Sequence, residues 1–520
     1  MLSKGTKSKT IKNILLVVFV SVVCKLAGLI KQLVIAAFFG TNGEIDTFLL
    51  VNGTITDLGT AVFASFTIVY LNQLVKMREN NDPDFKKYNT KVAFYFSIIS
   101  LVISSFLFFF SPFIVRILGP GLSNESIEAG IRYMLVLSPL LILICFRAII
   151  ITILDSKKCF VYGKSLGLIQ SITIIFVIIF FNKIIGIDSL LYATVGSLVF
   201  EVIIGVIVLL CKREFKFEKT NLKIDNNMKV LFFSMLPLLI SNTIMDINAL
   251  IDRAVASNLG EGYISAISYS QTLKQFVFAV LVTSIASVMY TDFSVDFVSG
   301  DMSNLSKKVN NYTYLFIIIM IPVSLVTIFN AKDIVTVVFK RGEFSDTSVD
   351  YSSAALIGYG AGFVFYAIQT ILLRLYFSSN NTKFPLIATS IGIVIGIIVK
   401  FSITPFIGVL GITLSSSVAY FITSVVLAIG TNKKVCKINW KSIALTFIKV
   451  ICVATIVSAV ILVLNKVIVV YSLLKLFIVT LVVFGLFALG IIIIDFKRAK
   501  NTFLTFLKFL KRRKNNGNEN

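Results

Sequence analysis

Apolar stretches of about 20 residues recur from one end of this 520-residue chain to the other. A stretch of that length is what an α-helix needs to cross the roughly 30 Å hydrocarbon core of a bilayer. Because lipid offers no hydrogen-bonding partner, the backbone N–H and C=O groups of each stretch must pair within the protein, which a helix achieves. The short alternating segments of a membrane β-barrel do not occur. The sequence therefore predicts an all-α, polytopic membrane protein with about fourteen transmembrane helices.

The predicted spans follow one another with short connections. They run 14–39, 47–75, 92–115, 129–154, 161–181, 189–210, 230–257, 264–290, 312–330, 350–377, 384–404, 409–429, 442–464 and 471–494. Hydrophobic residues make up 57% of the chain and charged residues 14%, against roughly a quarter charged in globular domains. No soluble segment remains for enzyme chemistry or for a GxxxxGK[ST] nucleotide-binding loop. We therefore expect a protein that is not an enzyme and uses no cofactor.

The basic residues are concentrated in alternate loops. The net charge is +23, but the Lys and Arg residues lie in short loops and at the two tails, which argues against nucleic acid as a partner. They concentrate after even-numbered spans, as at 76–91 and 212–229, whereas most alternate loops carry acids or little charge. The loop at 332–350 is an exception, with both signs. The positive-inside rule then predicts that both termini are cytoplasmic, and the basic loops would attract anionic lipids.

Cysteine and histidine usage excludes several kinds of site. The six cysteines form no CxxC pair, and the chain has no histidine. A disulfide framework, a metal site and a histidine-based catalytic triad are therefore not expected. The N-terminus has lysines ahead of an apolar run, as a signal peptide does, but the helix pattern continues through Lys25 and Lys31 with no convincing cleavage site. We interpret it as a retained first span.

An internal repeat with an offset near 220 residues divides the chain. The segment 34–40 parallels 254–260, and both lie at the end of a span. Arg147 in span four is followed by two lysines and a phenylalanine, and Arg374 in span ten by one lysine and a phenylalanine. The predicted domains are two six-helix lobes at 1–220 and 221–436, transmembrane helices 13 and 14 at 437–496, and a basic amphipathic cytoplasmic tail at 497–520. Transporters are commonly built from such repeats, with the substrate path between the halves.

Ionisable side chains inside the spans are the candidate site. A charge near mid-membrane costs roughly 2.5 to 3.5 kcal/mol or more, so each needs a reason to be there. The cations that could form a cavity for an anionic headgroup, diphosphate above all, are Lys25, Lys31, Arg147, Lys274 and Arg374. The alternative for each is snorkelling or an interhelical ion pair. We favour that alternative for four residues near span ends: Arg132, Glu201, Arg253 and Lys400.

Four segments resemble a known family. CKLAGLIKQLVIAAFFGTNGEIDTFLL at 24–50 resembles the opening of the MurJ (MviN) lipid II flippases, which belong to the multidrug/oligosaccharidyl-lipid/polysaccharide (MOP) exporter superfamily. The likeness returns in NALIDRAVASNLGEGYISAISYSQTL at 248–273 and VVFKRGEFS at 337–345, and again in RLYFSSNNTKFP at 374–385. It covers spans one to twelve in order, and fourteen spans is the family's number.

The resemblance implies two six-helix lobes in a V around a central cavity, with spans 13 and 14 forming a groove for a polyprenyl tail. The substrate it implies is an undecaprenyl-diphosphate-linked saccharide, moved from inner to outer leaflet by alternating access. Family residues that contact the diphosphate align with Lys25 and Lys31, and an acid at the start of span two aligns with Asp46. The protein would then act in peptidoglycan synthesis in the bacterial cytoplasmic membrane. Cell-wall synthesis proteins are candidate partners, and a monomer is expected.

The sequence departs from the family pattern at several positions. The family usually has Arg where this chain has Lys25 and Lys31, and lysine keeps the charge but gives up bidentate geometry. The basic residue expected in span two falls on Gly59. The Arg and acid expected in span eight fall on Thr272 and Gln275, with Lys274 as a candidate substitute. These departures leave the identity of the headgroup open.

Three other functions therefore remain as alternatives. The first is a flippase for other lipid-linked polysaccharide units, of capsular, O-antigen or teichoic type. The second is a cation-coupled multidrug exporter, against which a cavity dominated by lysine and arginine argues. The third is a membrane scaffold that transports nothing and only binds partners.

Overall fold

The computed structural model describes residues 4–212, 214, 218, 220–468 and 471–494, and these contain helices and no β-strand. In chain order the first eight helices are α1 (Lys4–Phe39), α2 (Gly43–Glu79), α3 (Phe85–Phe109), α4 (Ser111–Leu118), α5 (Asn124–Leu137), α6 (Leu140–Ser156), α7 (Phe160–Ile185) and α8 (Asp188–Cys211). The others are α9 (Asn226–Ser257), α10 (Tyr263–Phe278), α11 (Ser284–Val298), α12 (Met302–Phe329), α13 (Ala331–Phe339), α14 (Asp346–Gly360), α15 (Phe363–Ser378), α16 (Lys383–Ile407), α17 (Val409–Lys434), α18 (Trp440–Val467) and α19 (Ser472–Ile494). A π-helical segment, Ala279–Thr283, joins α10 to α11.

The number of spans agrees with the prediction. Thirteen candidate spans in the described chain are long and apolar enough to cross a membrane, and α14 with α15 makes a fourteenth that is bent by 45°. That bent pair corresponds to the predicted span 350–377. The all-α, polytopic fold predicted from the apolar stretches is therefore confirmed.

The contacts divide the chain into two compact units. Unit 1 comprises 1–265 with 341–344, and unit 2 comprises 266–340 with 345–520. Unit 1 thus includes α9, which the repeat assigns to the second lobe. Compactness and sequence repetition are different properties, so the lobe boundaries at 220 and 436 stay a prediction. The predicted amphipathic tail at 497–520 lies outside the described residues.

Helix α2 is central in unit 1 and packs against α5, α6 and α9, while α7 packs against α1 and α8. The buried core of unit 1 contains stacked aromatic rings. The centroid of the Phe66 ring lies 4.0 Å from that of Phe96 and 4.9 Å from that of Tyr70. The Tyr70 hydroxyl donates to Asn89 Oδ1 at 2.7 Å, so this polar tip is satisfied inside the core. This packing fixes α2 and α3 side by side.

Helix α17 is central in unit 2 and packs against α14, α15 and α16. The two C-terminal spans are also attached to this unit. Asn465 near the end of α18 donates to the Phe329 carbonyl at 3.2 Å, and Lys475 in α19 pairs with Asp333 of the short helix α13 at 2.8 Å. The last two spans are therefore held by polar contacts as well as by apolar packing.

The backbone repeats at the offset that the sequence predicts. Residues with positive φ stop helices at matched places, 219 to 222 residues apart: Gly40 and Gly260, Asn81 and Gly300, Lys158 and Asn380, and Gly186 and Gly408. A left-handed residue just after a helix is the common helix stop, and glycine or asparagine adopts it most easily. The chain therefore repeats its pattern of helix ends, which supports an internal duplication independently of side-chain similarity.

This register corrects one detail of the sequence repeat. Arg147 lies eleven residues before the left-handed Lys158, whereas Arg374 lies six residues before the left-handed Asn380. Counted from the helix stops, Arg147 corresponds to Gln369, so the two arginines do not occupy equivalent positions. The sequence comparison had aligned basic residues near the loops, and such residues recur in any loop that obeys the positive-inside rule.

Candidate functional site

The two lysines of α1 share a broad face that is open at its centre. Lys25 is exposed and Lys31 is half-buried. Gly28 is midway between them, and at about 100° per residue the three positions span a face of about 120°. A Cβ atom added at Gly28 would meet no atom of the described chain within 4 Å. The helix therefore has open space between its two positive charges, at Gly28.

Arg147 and Lys31 converge on one acid in unit 1. Arg147 in α6 pairs with Glu201 in α8, with Nε 2.8 Å from Oε2, and the Glu201 side chain is 0% exposed. Glu201 also interacts electrostatically with Lys31. The structure thus brings together two of the predicted cations, and it confirms an interhelical ion pair for Glu201.

The Glu201 carboxylate is satisfied by charge more than by hydrogen bonds. Both of its oxygens are buried, and within the described chain neither has a hydrogen-bond partner of good geometry. Arg147 Nε is likewise close to the acid but poorly aligned with it. Buried polar groups are normally hydrogen-bonded, so this arrangement is unusual.

Asp46 has a different environment. It lies in the first turn of α2 and is 1% exposed. Its Oδ2 accepts hydrogen bonds from the backbone N–H groups of Gly262 at 2.7 Å and Ile264 at 3.3 Å. Its Oδ1 accepts from the N–H of Ser265 at 2.7 Å. The carboxylate therefore anchors the start of α10 to α2, and its predicted contact with substrate stays a prediction.

Three of the segments that carry the family resemblance meet at the connection between α1 and α2. We call the residues 37–46, 257–265 and 341–344 the turn cluster. Glu343 donates its N–H to the Ala37 carbonyl at 2.9 Å. Gly40 and Gly342 have φ of +58° and +57°, and a Cβ atom on Gly342 would lie 2.1 Å from the Ala37 oxygen. These turns pack backbone against backbone, which explains why the glycines stand where they do.

The two predicted cations of unit 2 lie near aromatic residues. Lys274 is 8% exposed, and its Nζ lies 3.9 Å from the centroid of the Tyr359 ring, a cation–π contact. Arg374 is half-buried and interacts electrostatically with Tyr366. The Tyr366 ring in turn stacks on Phe278 at 3.8 Å. The roles of Lys274 and Arg374 in substrate binding stay predictions.

Other charges within the spans are paired as the sequence predicts. Arg253 in α9 binds Asp57 in α2 at 2.8 Å, and Arg132 binds Asp188 at 2.8 Å. The Arg253 guanidinium lies against Gly53, where a Cβ atom would be 2.5 Å from its Cζ. These pairs confirm the ion-pair interpretation for Arg253 and Arg132. Lys400 is buried, with 1% exposure.

Sequence reasoning did not identify Glu201 as the partner that joins Lys31 to Arg147. Glu201 lies near the middle of α8, not near a span end as predicted, and a single acid so placed in an apolar span was the available signal. Gly28 was also missed as the centre of the lysine face, although its spacing of three residues from both lysines could have indicated it.

In the part of the chain that the structure describes, no group of three acid or cysteine side chains is placed to hold a metal.

The chain is similar to known transporters over most of its length. A family model described as lipid II flippase MurJ matches residues 35–485. A probable lipid II flippase MurJ from Rickettsia prowazekii (strain Madrid E) is 23% identical over 418 residues, which cover 78% of this chain and 80% of that protein. One from Treponema pallidum (strain Nichols) is 22% identical over 436 residues, covering 81% and 82%.

Solved structures show the same fold. A structure described as lipid II flippase MurJ in an inward closed conformation matches with a TM-score of 0.76 and 22% identity, covering 91% of this chain and 98% of that one. An inward-facing multidrug resistance MATE family transporter of the MOP superfamily matches with a TM-score of 0.67 and 15% identity, covering 79% and 94%. The likeness confirms the polytopic all-α fold.

Proposed function

The chain belongs to the MurJ family of lipid II flippases, and from that membership we propose that it moves lipid II across a bacterial cytoplasmic membrane. The cargo would be an undecaprenyl-diphosphate-linked saccharide, carried from the inner to the outer leaflet by alternating access. The protein would carry this cargo without transforming it chemically. Its basic loops would face the cytoplasm, with both termini, and would contact anionic lipids.

The observation that carries this proposal is the open space between the two lysines of α1. Lys25 and Lys31 flank Gly28, which has open space beside it, within an apolar helix. Cations inside a membrane require compensation, and a diphosphate supplies negative charge and several acceptor oxygens. We assign Lys25 and Lys31 to the diphosphate, with Arg147 beside Lys31 as a third cation.

The energy for outward movement need not come from ATP. An inside-negative membrane potential favours movement of an anionic headgroup outward by about 2.3 kcal/mol per elementary charge per 100 mV. The cationic residues would lower the energy of the same headgroup while it is within the membrane. The cationic residues and the membrane potential would therefore both act on the anionic headgroup of the cargo.

Reconstitution tests the proposal. Proteoliposomes containing labelled lipid II are treated with an external enzyme that modifies the headgroup, and the initial rate of modification measures flipping. We expect Lys25→Gln with Lys31→Gln to lower this rate about a hundredfold, because each hydrogen bond to a charged group contributes roughly 1.5–3 kcal/mol.

The matched control is Lys307→Gln, which removes one exposed lysine outside the α1 face. It should flip lipid II at the wild-type rate. A double α1 variant that also does so would refute the role assigned to the lysines. Wild-type transport of a capsular or teichoic unit in place of lipid II would favour the alternative headgroups.

A further inference from the structure

We propose that Glu201 is a resident counter-ion, which the diphosphate of the cargo displaces from Arg147 and Lys31. This inference rests on the proposed function, because it concerns the same cations. It adds a positioning residue that contacts no substrate: Glu201 would set how tightly the cations hold the cargo and how readily they release it.

The first support is the position of Glu201. It lies near the middle of α8 (Asp188–Cys211), and its side chain is 0% exposed. Taking a carboxylate out of water costs several kcal/mol, which an ion pair recovers only when its geometry is excellent. Here the pair is close but lacks well-aligned hydrogen bonds in the described chain. An apolar residue of similar volume would pack with no such penalty, so stability alone does not account for this acid.

The second support is the asymmetry of the pair. The acid is fully enclosed, whereas the Arg147 side chain is 31% exposed. Glu201 approaches Arg147 at Nε, which leaves the terminal nitrogens of the guanidinium as further donors. A guanidinium can bind phosphate through two parallel hydrogen bonds. Arg147 is therefore able to turn from an enclosed carboxylate toward an anion on its accessible side.

The third support is the charge of the empty site. Lys31 and Arg147 place two positive charges near one another within apolar helices, and Glu201 neutralises one of them. A carrier that has released its cargo must still hold these cations in the membrane. With Glu201 as the counter-ion, the empty carrier is stabilised, and the cargo has to compete with an internal anion.

This competition has opposite effects on binding and on transport. Removing the charge of Glu201 frees the cations, so the diphosphate should bind more tightly. The same change removes the anion that would replace the diphosphate on these cations, so release of the cargo should slow. A residue with only a structural role would change binding and transport in the same direction.

The test is Glu201→Gln, which keeps the shape of the side chain and removes its charge. Binding is measured with undecaprenyl diphosphate in nanodiscs, and transport with labelled lipid II in proteoliposomes. We expect the Kd to fall about tenfold, as loss of one partly screened charge contact predicts. The transport rate should also fall about tenfold.

The matched control is Glu214→Gln. Glu214 also pairs with an arginine and a lysine, Arg78 and Lys157, but it follows α8 and lies outside the spans. The substitution should leave the Kd and the transport rate of the folded protein unchanged. The exchange of charges, Arg147→Glu with Glu201→Arg, adds a second comparison. A structural pair would be restored by the exchange, whereas a displaced counter-ion would not, because the arginine would then be enclosed.

The outcomes separate the two proposals. Wild-type protein that fails to bind undecaprenyl diphosphate would overturn the proposed function and this inference together. Wild-type binding with a Glu201→Gln variant that binds equally or more weakly would overturn this inference alone. If that variant does not fold, Glu201→Asp replaces it. Its shorter side chain withdraws the carboxylate from Arg147 and should change Kd and rate in the same directions by a smaller factor.

Discussion

At the scale of single residues, the turn cluster shows how backbone geometry selects glycine. Gly342 and Gly408 have nearly equal φ, +57° and +59°. A Cβ atom on Gly342 would lie 2.1 Å from the Ala37 carbonyl oxygen, whereas the same atom on Gly408 would meet nothing described within 4 Å. The pair therefore compares a glycine of positive φ in close contact with one of positive φ in open space.

We expect Gly408→Ala to destabilise the protein by about 1–3 kcal/mol, because a φ of +59° with a ψ of −137° lies outside the regions that a residue with a side chain adopts easily. Gly342→Ala should cost about 3 kcal/mol or more, because the turn must also open. Thermal unfolding of each variant in detergent, followed by circular dichroism, measures the difference. Equal losses of stability would show that the contact with Ala37 does not constrain position 342.

Asp46 provides a second prediction at this scale. Asn has one acceptor oxygen and a donor amide, so it would direct a donor at backbone N–H groups that now donate to a carboxylate. We expect Asp46→Asn to destabilise the protein by about 3 kcal/mol. The Kd of the remaining folded protein for undecaprenyl diphosphate should stay at the wild-type value. A raised Kd with unchanged thermal stability would instead support the predicted contact with substrate.

At the scale of elements, the connection after α8 is held to unit 1 by ion pairs. Glu214 pairs with Arg78 at the end of α2 and with Lys157 after α6. Asp225 binds Lys91 of α3 at 2.6 Å and caps α9 through the Met228 N–H at 2.9 Å. The acids of this otherwise basic connection thus position the start of α9.

These pairs predict a dependence of stability on pH. Burial by itself would raise the pKa of Glu214, but hydrogen bonds from Lys157 and Arg78 outweigh it and lower the pKa below the ordinary 4.5. A carboxylate with a lowered pKa stabilises the fold fully above its ordinary pKa. This contribution is lost as pH falls through the lower, folded-state value.

Wild-type protein should therefore unfold at a higher temperature than Glu214→Gln at pH 7, and the difference should shrink as the pH falls below 4.5. Differential scanning fluorimetry from pH 7 to 3.5 measures the unfolding temperature of both proteins. Subtracting one curve from the other cancels the effect of the other acids, which titrate in both proteins. A gap of constant size across this range would contradict the role of the ionised carboxylate.

At the scale of the whole molecule, the apolar stretches were sufficient to predict the number of spans and the fold class. The number of spans follows from local chemistry, because any stretch of about 20 apolar residues must be helical in lipid. The internal repeat was also visible in the sequence, although its register required the left-handed residues at the helix ends. The bend in the tenth span was not predicted, and it falls where Gly360 and Gly362 approach neighbouring side chains.

The sequence by itself determined that this is an all-α membrane protein of the MurJ family, and which charged residues lie within its spans. Only the tertiary structure decided which of those charges meet. Hydropathy sets where a helix starts and ends, but it does not set the rotation of each helix about its axis. Asp46 reaches Gly262 across 216 residues of sequence, and Glu201 faces Arg147 from a different helix. Those partners depend on how the helices pack, because an ion pair or a hydrogen bond forms only when the two groups lie within a few ångströms of each other.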